Sequence, residues 1–148
     1  NINGTAFRKG LGTHAVSEVV VPLNGAQTFR ASVGLPTYVG TSGSVVFQVW
    51  DGSKKLADSG VIRGGQPAKS MVVDVTGRSN LRLVVTNAGN GSTQDHANWG
   101  DAHLVTTTTT SAPAEAQAAP APTSVTTTTY VSDTAYRVVR NGSSLVEK

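Results

Sequence analysis

Gly43-Ser-Val-Val-Phe-Gln-Val-Trp-Asp-Gly-Ser-Lys-Lys-Leu56 decides the fold. Val45, Phe47 and Val49 alternate with Val46 and Gln48, the period of a strand with one face toward a core. Asp51-Gly52 follows between two apolar runs, and such a dipeptide favours a tight hairpin turn. The same period recurs downstream. Met71, Val73 and Val75 alternate with Val72, Asp74 and Thr76, and Leu81, Leu83 and Val85 with Arg82 and Val84. Further strands are expected at 18–23, 27–33, 56–62 and 101–107, set off by Asn24-Gly25, Ser42-Gly43, Gly64-Gly65 and Gly89-Asn90-Gly91. No eleven-residue window shows helical spacing of apolar residues. Many short strands at regular intervals imply an all-β chain, an antiparallel sandwich or barrel.

Composition narrows the class. The 148 residues allow one domain and some extra, and 38% hydrophobic content with 5% aromatic content suffices for a modest Val/Leu/Ala core. No cysteine is present, which removes disulfides and thiolate metal sites. The net charge of +3 is spread without a basic stripe, which argues against a nucleic-acid partner. No apolar run reaches the roughly 18 residues that span a membrane. A chain starting at Asn1 without methionine or signal peptide fits a processed or excised product.

Composition shifts at Thr106. Thr106–Thr110 and Thr126–Thr129 are threonine runs, and Pro113, Pro120 and Pro122 lie among small residues between them. Residues 106–129 read as a Thr/Ala/Pro interdomain linker. Threonine is β-branched, so the runs also fit strands, and O-glycosylation is a third option. Residues 130–148 then form a strand segment rich in Tyr130, Val131, Tyr136, Val138 and Val139.

Arg8-Lys9-Gly10-Leu11-Gly12-Thr13-His14-Ala15 resembles the signature of the NPCBM domains, also called carbohydrate-binding module family 51. Phe29–Gly34, Gly43–Val49, Asn80–Val85 and Asp95–Ala102 are similar to its later strands, so the likeness covers about residues 2–105. Residues 130–148 are similar to the family's first segment, with Ser132-Asp133 before a strand and Val146-Glu147 after it. Residues 1–105 are therefore expected to form an NPCBM-like sandwich that lacks its first strand. The resemblance implies a jelly-roll-like β-sandwich, often appended to secreted glycoside hydrolases, that binds galactose-type sugars and commonly carries a structural calcium. The sequence departs from the family where an acidic loop becomes Asn87-Ala88-Gly89-Asn90-Gly91. Amide oxygens coordinate calcium without charge, so a family-type site at Asn87, Asn90 and Asp101 is doubtful. The first segment's aromatic is replaced at Ser143-Ser144-Leu145, which removes one sugar platform.

The candidate sugar-binding residues are His14, His96, Trp99 and Asp95. Each has a plainer reading: His14 as a loop-fixing histidine, Trp99 as a cap on the sandwich, Asp95 and Asp101 as acceptors in turns. Three histidines without ligand-like spacing make a poor zinc site. Gly-x-Ser-x-Gly is absent, and nothing sets two carboxylates across a cleft, so no enzymatic activity is expected.

Two functions follow. In the first, the C-terminal strand is donated to the open sheet edge of a neighbouring copy, giving a head-to-tail extracellular fibre. In the second, the chain is a carbohydrate-binding module for an extracellular or cell-surface glycan. A milder variant closes the strand on its own domain as a circular permutation.

Overall fold

The computed structural model describes residues 1–110 and 123–142. The expected Val146-Glu147 and Ser143–Leu145 matches, and Pro113, Pro120 and Pro122, lie outside them. Ten strands follow in order: β1 (Gly10–His14), β2 (Ser17–Pro22), β3 (Thr28–Gly34), β4 (Ser44–Asp51), β5 (Lys54–Arg63), β6 (Lys69–Asp74), β7 (Asn80–Thr86), β8 (His96–Thr110), β9 (Thr123–Tyr130) and β10 (Arg137–Asn141). One antiparallel sheet has the order β1-β8-β3-β6, with β9 also on β8. The other has the order β10-β2-β7-β4-β5. The all-β sandwich is the architecture expected. The strand at β1 was missed, because Gly10-Leu-Gly-Thr reads as a turn.

The core lies between the two inner faces. Phe29, Val33, Val73 and Trp99 from the first sheet meet Val21, Phe47, Val49, Leu81, Leu83 and Val85 from the second, all buried. Fully burying a side chain of this size contributes about 1.5–3 kcal/mol, so these rows dominate the stability. The alternation is adjusted by a bulge in β8. Ala97 and Trp99 face inward, and so do Ala102 and Leu104. The change of parity falls at Asp101, which has a positive φ of 50° and coincides with a register shift against β3. The extra residue turns its N–H to the Lys9 carbonyl at 2.8 Å.

Two glycines on the outer face of the first sheet receive the N-terminal segment. A Cβ at Gly34 would collide with the Ile2 side chain, which is fully buried. A Cβ at Gly100 would lie 2.8 Å from the Phe7 ring. Residues 1–7 therefore cross the sheet by filling positions where side chains are missing.

The threonine runs are strands. β8 continues to Thr110 and pairs with β9 from His103↔Tyr130 to Thr110↔Thr123, so residues 106–110 and 123–129 form a ladder and not a spacer. β3 pairs with β8 only as far as Val105, and the Gln27 carboxamide takes over there. Its Nε2 donates to the Thr107 carbonyl at 3.1 Å, and its Oε1 accepts the Thr107 N–H at 2.8 Å. The expected domain boundary at 105 falls inside a continuous strand.

The C-terminal segment closes its own chain. β10 pairs with β2, Val131 is fully buried, and Tyr136 and Val138 pack on the core. Tyr130 stacks edge-on to His103, and Val139 is half-buried. Of the residues picked as strand donors, Val138 and Val139 lie in β10 on the second sheet, Tyr130 ends β9 on the first, and Val131 and Tyr136 pack between the two strands.

Val131→Ala is expected to lower unfolding stability by about 2 kcal/mol, read by urea denaturation, from two lost methyl groups and the cavity they leave. Gly100→Ala is expected to destabilise as well, with Phe7 displaced from the sheet. A free-living tail would leave the Val131→Ala midpoint unchanged.

Candidate functional site

One end of the sandwich gathers polar and aromatic groups from four places. His14 ends β1 and His96 begins β8, as direct antiparallel partners. Their rings meet edge-on at 4.6 Å between centroids. A single 3-10 turn at Thr37–Val39 brings Tyr38 edge-on to His96 at 5.2 Å. Tyr38 is 72% exposed, the most exposed large apolar side chain described. It follows Pro36, whose fixed φ presets the turn.

The fourth contribution comes from the C-terminal strand. The His14 N–H donates to Asn141 Oδ1 at 2.8 Å, and the Gly142 N–H donates to the His14 carbonyl at 2.9 Å. Both backbone groups of His14 are thus satisfied by the tail. A cleft of about 430 Å³ opens beside them, lined by His14, Ala15, Val16, Ser92, Arg140, Asn141 and Gly142. The His14 Nδ1 lies 2.9 Å from the Ala15 carbonyl, which fits a proton on Nδ1. Burial, with the neighbouring His14 adding to it, holds the His96 imidazole below its ordinary value, against the pull of Asp95. At neutral pH His96 is uncharged, with one ring nitrogen able to donate and the other to accept.

His14 and His96, expected from the sequence, therefore stand together. Trp99 and Asp95 do not join them at the surface. Trp99 is fully buried, edge-on to Phe29 at 6.1 Å and to Phe47 at 5.0 Å, so it is a core residue and not a platform for sugar. It faces inward because it sits on the Ala97 side of the β8 bulge. Asp95 is 1% exposed, and its Oδ1 accepts the Ser44 N–H at 2.7 Å while its carbonyl accepts from Ala15. It ties the start of β8 to β4 and to the turn after β1. Tyr38 was not singled out. The available signal was an aromatic directly after a Pro-Thr turn in a chain with three tyrosines.

Asn87, Asn90 and Asp101, where a calcium site was doubtful from the sequence, are not gathered into one site. Asn87 Oδ1 accepts the Gly89 N–H at 3.0 Å, and Asn90 Nδ2 donates to Ser44 Oγ at 2.7 Å. The Asn87 oxygen is thus taken within the β7–β8 loop, and Asn90 ties that loop to β4. Asp101 is six residues beyond Asp95, which holds the same Ser44 as Asn90, so an extended strand puts it up to about 20 Å away. Among the described residues no three His, Cys, Asp or Glu side chains cluster to hold a metal ion.

The depressed imidazole sets a pH dependence. His96 stays neutral in the folded state while the unfolded state takes up a proton near the ordinary value of 6.5. Its contribution to stability is complete above that value and is lost as pH falls toward the lower folded value. Urea midpoints at pH 7.5 and 5.5 should differ less in His96→Gln than in the parent chain. Equal differences would place the titration elsewhere.

Comparison with known proteins agrees with this architecture. The NPCBM/NEW2 domain model matches residues 1–105. Alpha-1,3-galactosidase B of Akkermansia muciniphila is 35% identical over 112 residues, and a putative endo-alpha-N-acetylgalactosaminidase of Renibacterium salmoninarum 27% over 107 residues. The matches take in 72% and 70% of this chain but only 14% and 7% of those proteins. The CBM51 of Clostridium perfringens GH95, solved in complex with methyl-galactose, is 36% identical with a TM-score of 0.64, covering 68% of this chain and 72% of that one. The CBM51-2 of Clostridium perfringens ZmpB, solved with its INT domains and GlcNAc, is 39% identical with a TM-score of 0.64, over 68% of this chain and 22% of that one. With the family model spanning well over half its length, and with the two-sheet sandwich that these relatives share, the chain belongs to the NPCBM/NEW2 domain family.

Proposed function

We propose that this chain is a non-catalytic carbohydrate-binding module acting outside the cell, and that it holds a galactose-type sugar at the Tyr38–His96–His14 end of the sandwich. The exposed Tyr38 ring beside a neutral His96 carries the reading. Sugar sites pair an aromatic face with a few fixed hydrogen-bonding groups. Tyr38 supplies the face. The His96 imidazole beside it, and the His14 imidazole, the Arg140 guanidinium and the Ser92 hydroxyl around the cleft, supply donors and acceptors. The complex of a Clostridium perfringens relative with methyl-galactose supports the sugar class. The curated relatives named as glycosidases support an extracellular setting in which catalysis belongs to other parts of a longer protein.

The fibre reading has less behind it. Head-to-tail donation needs the C-terminal strand in another copy, whereas β10 here occupies β2 of its own chain. The comparisons favour the glycan over other copies of the chain as partner.

Titration calorimetry with methyl-galactose should show weak binding, on the order of 0.1–1 mM. Tyr38→Ala and His96→Ala should each weaken it about tenfold, a loss of about 1.4 kcal/mol. Unchanged affinity in both variants would move the site elsewhere. Light-scattering chromatography of the full chain should report a monomer, and filaments would restore the fibre reading.

A further inference from the structure

The outer face of the first sheet holds a second cleft, of about 420 Å³, well apart in character from the Tyr38 end. Its floor is bare backbone at Gly10 and Gly12, with the Phe7 ring covering Gly100 beside them. Gly10, Gly12 and Gly100 lie on the outward side of β1 and β8, with Gly10 opposite Gly100 and Gly12 opposite Asn98. Its walls are the Phe7 ring, Arg8, Lys9, Asn98 and Ser132.

These glycines are not equivalent. Gly10 is required because the Trp99 carbonyl would collide with a Cβ, and Gly100 because Phe7 packs on it. Gly12 has no such constraint. A Cβ there would sit at ordinary contact, 3.4 Å from Asn98 Oδ1, and the backbone is extended. A glycine in an exposed strand weakens it, since a β-branched residue would serve the strand better. Packing does not explain Gly12, but an open cleft does.

The polar groups are arranged for an anion and for hydroxyls. Asn98 Nδ2 donates to the Asn1 carbonyl at 2.6 Å, which fixes the amide and presents Oδ1 on the Gly12 side. Lys9 is paired with Asp133 and stands 5.1 Å from the centre of the Tyr130 ring. Arg8 has no ion-pair partner among the described residues. Asp133 neutralises Lys9, so the charged side chain left to the cleft is Arg8. A planar guanidinium matches a carboxylate or sulfate through two parallel hydrogen bonds.

We propose that the cleft over Gly10, Gly12 and Gly100 is a second glycan site, one that takes an anionic sugar residue through Arg8 and Asn98. Phe7 offers an apolar wall to the ring, and Ser132 a hydroxyl. Neither Tyr38 nor His96 lines this cleft, although Gly12 stands two residues from His14 in β1, so one protein would engage a neutral and a charged sugar at neighbouring sites.

The test is amide NMR of the full chain titrated with three probes: methyl-galactose, galactose 6-sulfate and a methyl sialoside. One or both anionic probes should shift the amides of Gly10, Gly12, Asn98 and Gly100, and methyl-galactose should not. The sulfate and the carboxylate arms separate the two anion sources. Arg8→Ala should weaken the anionic probe at least tenfold, and Gly12→Val should block it sterically. Both variants should leave methyl-galactose shifts near Tyr38 intact, which also shows that they fold. The proposal is overturned if neither anion moves those four amides, if methyl-galactose moves them equally, or if Arg8→Ala binds the anion as the parent does. Loss of methyl-galactose binding in the parent chain would strike the neutral-sugar reading alone.

Discussion

A single extra residue in β8 governs the molecule. β8 spans 15 residues and pairs with β1, β3 and β9 in turn. An unbroken strand would send every second side chain to the same face, and Ala102 and Leu104 would then point outward if Trp99 pointed in. The bulge at Asp101 lets both halves of the strand bury their apolar residues. It also frees the Asp101 N–H to hold the Lys9 carbonyl, which anchors the segment leading into β1. The position of His14 opposite His96, and the glycine floor opposite Asn98 and Gly100, both follow from that pairing.

Much of the fold was legible because burial imposes a period of two. β4, β6 and β7 carry strict alternation and stand where the sequence put them. β1 was hidden because close approach of the Trp99 carbonyl demands a glycine, and glycine reads as a turn. The threonine runs were ambiguous for a different reason. All of their residues are of one type, so they carry no inside and no outside, and only the partner strand reveals the pairing.

The functional end was legible in part. His14 and His96 stood out by chemistry and proved to be neighbours. Trp99 misled because an indole in a Gly/Asp-rich stretch suggests an exposed platform. Its burial is decided by strand parity, which the bulge resets a short way further on. Tyr38 was hidden because its exposure depends on the turn at Pro36 and on a histidine more than fifty residues away. Asp95 shows the opposite case, a carboxylate whose conspicuous position reflects its hold on the Ser44 amide.

The threonine ladder also bears on how quickly the chain can find its form. β10 and β2 are more than a hundred residues apart in sequence, and direct closure of so long a loop is slow. The β8–β9 ladder shortens that search. Once His103 is beside Tyr130, and Gly100 beside Gly10, the approach to β10 lies next to the approach to β2. The uncharged ribbon that serves neither cleft is then a kinetic shortcut, bringing the far end of the polypeptide home by way of local zippering.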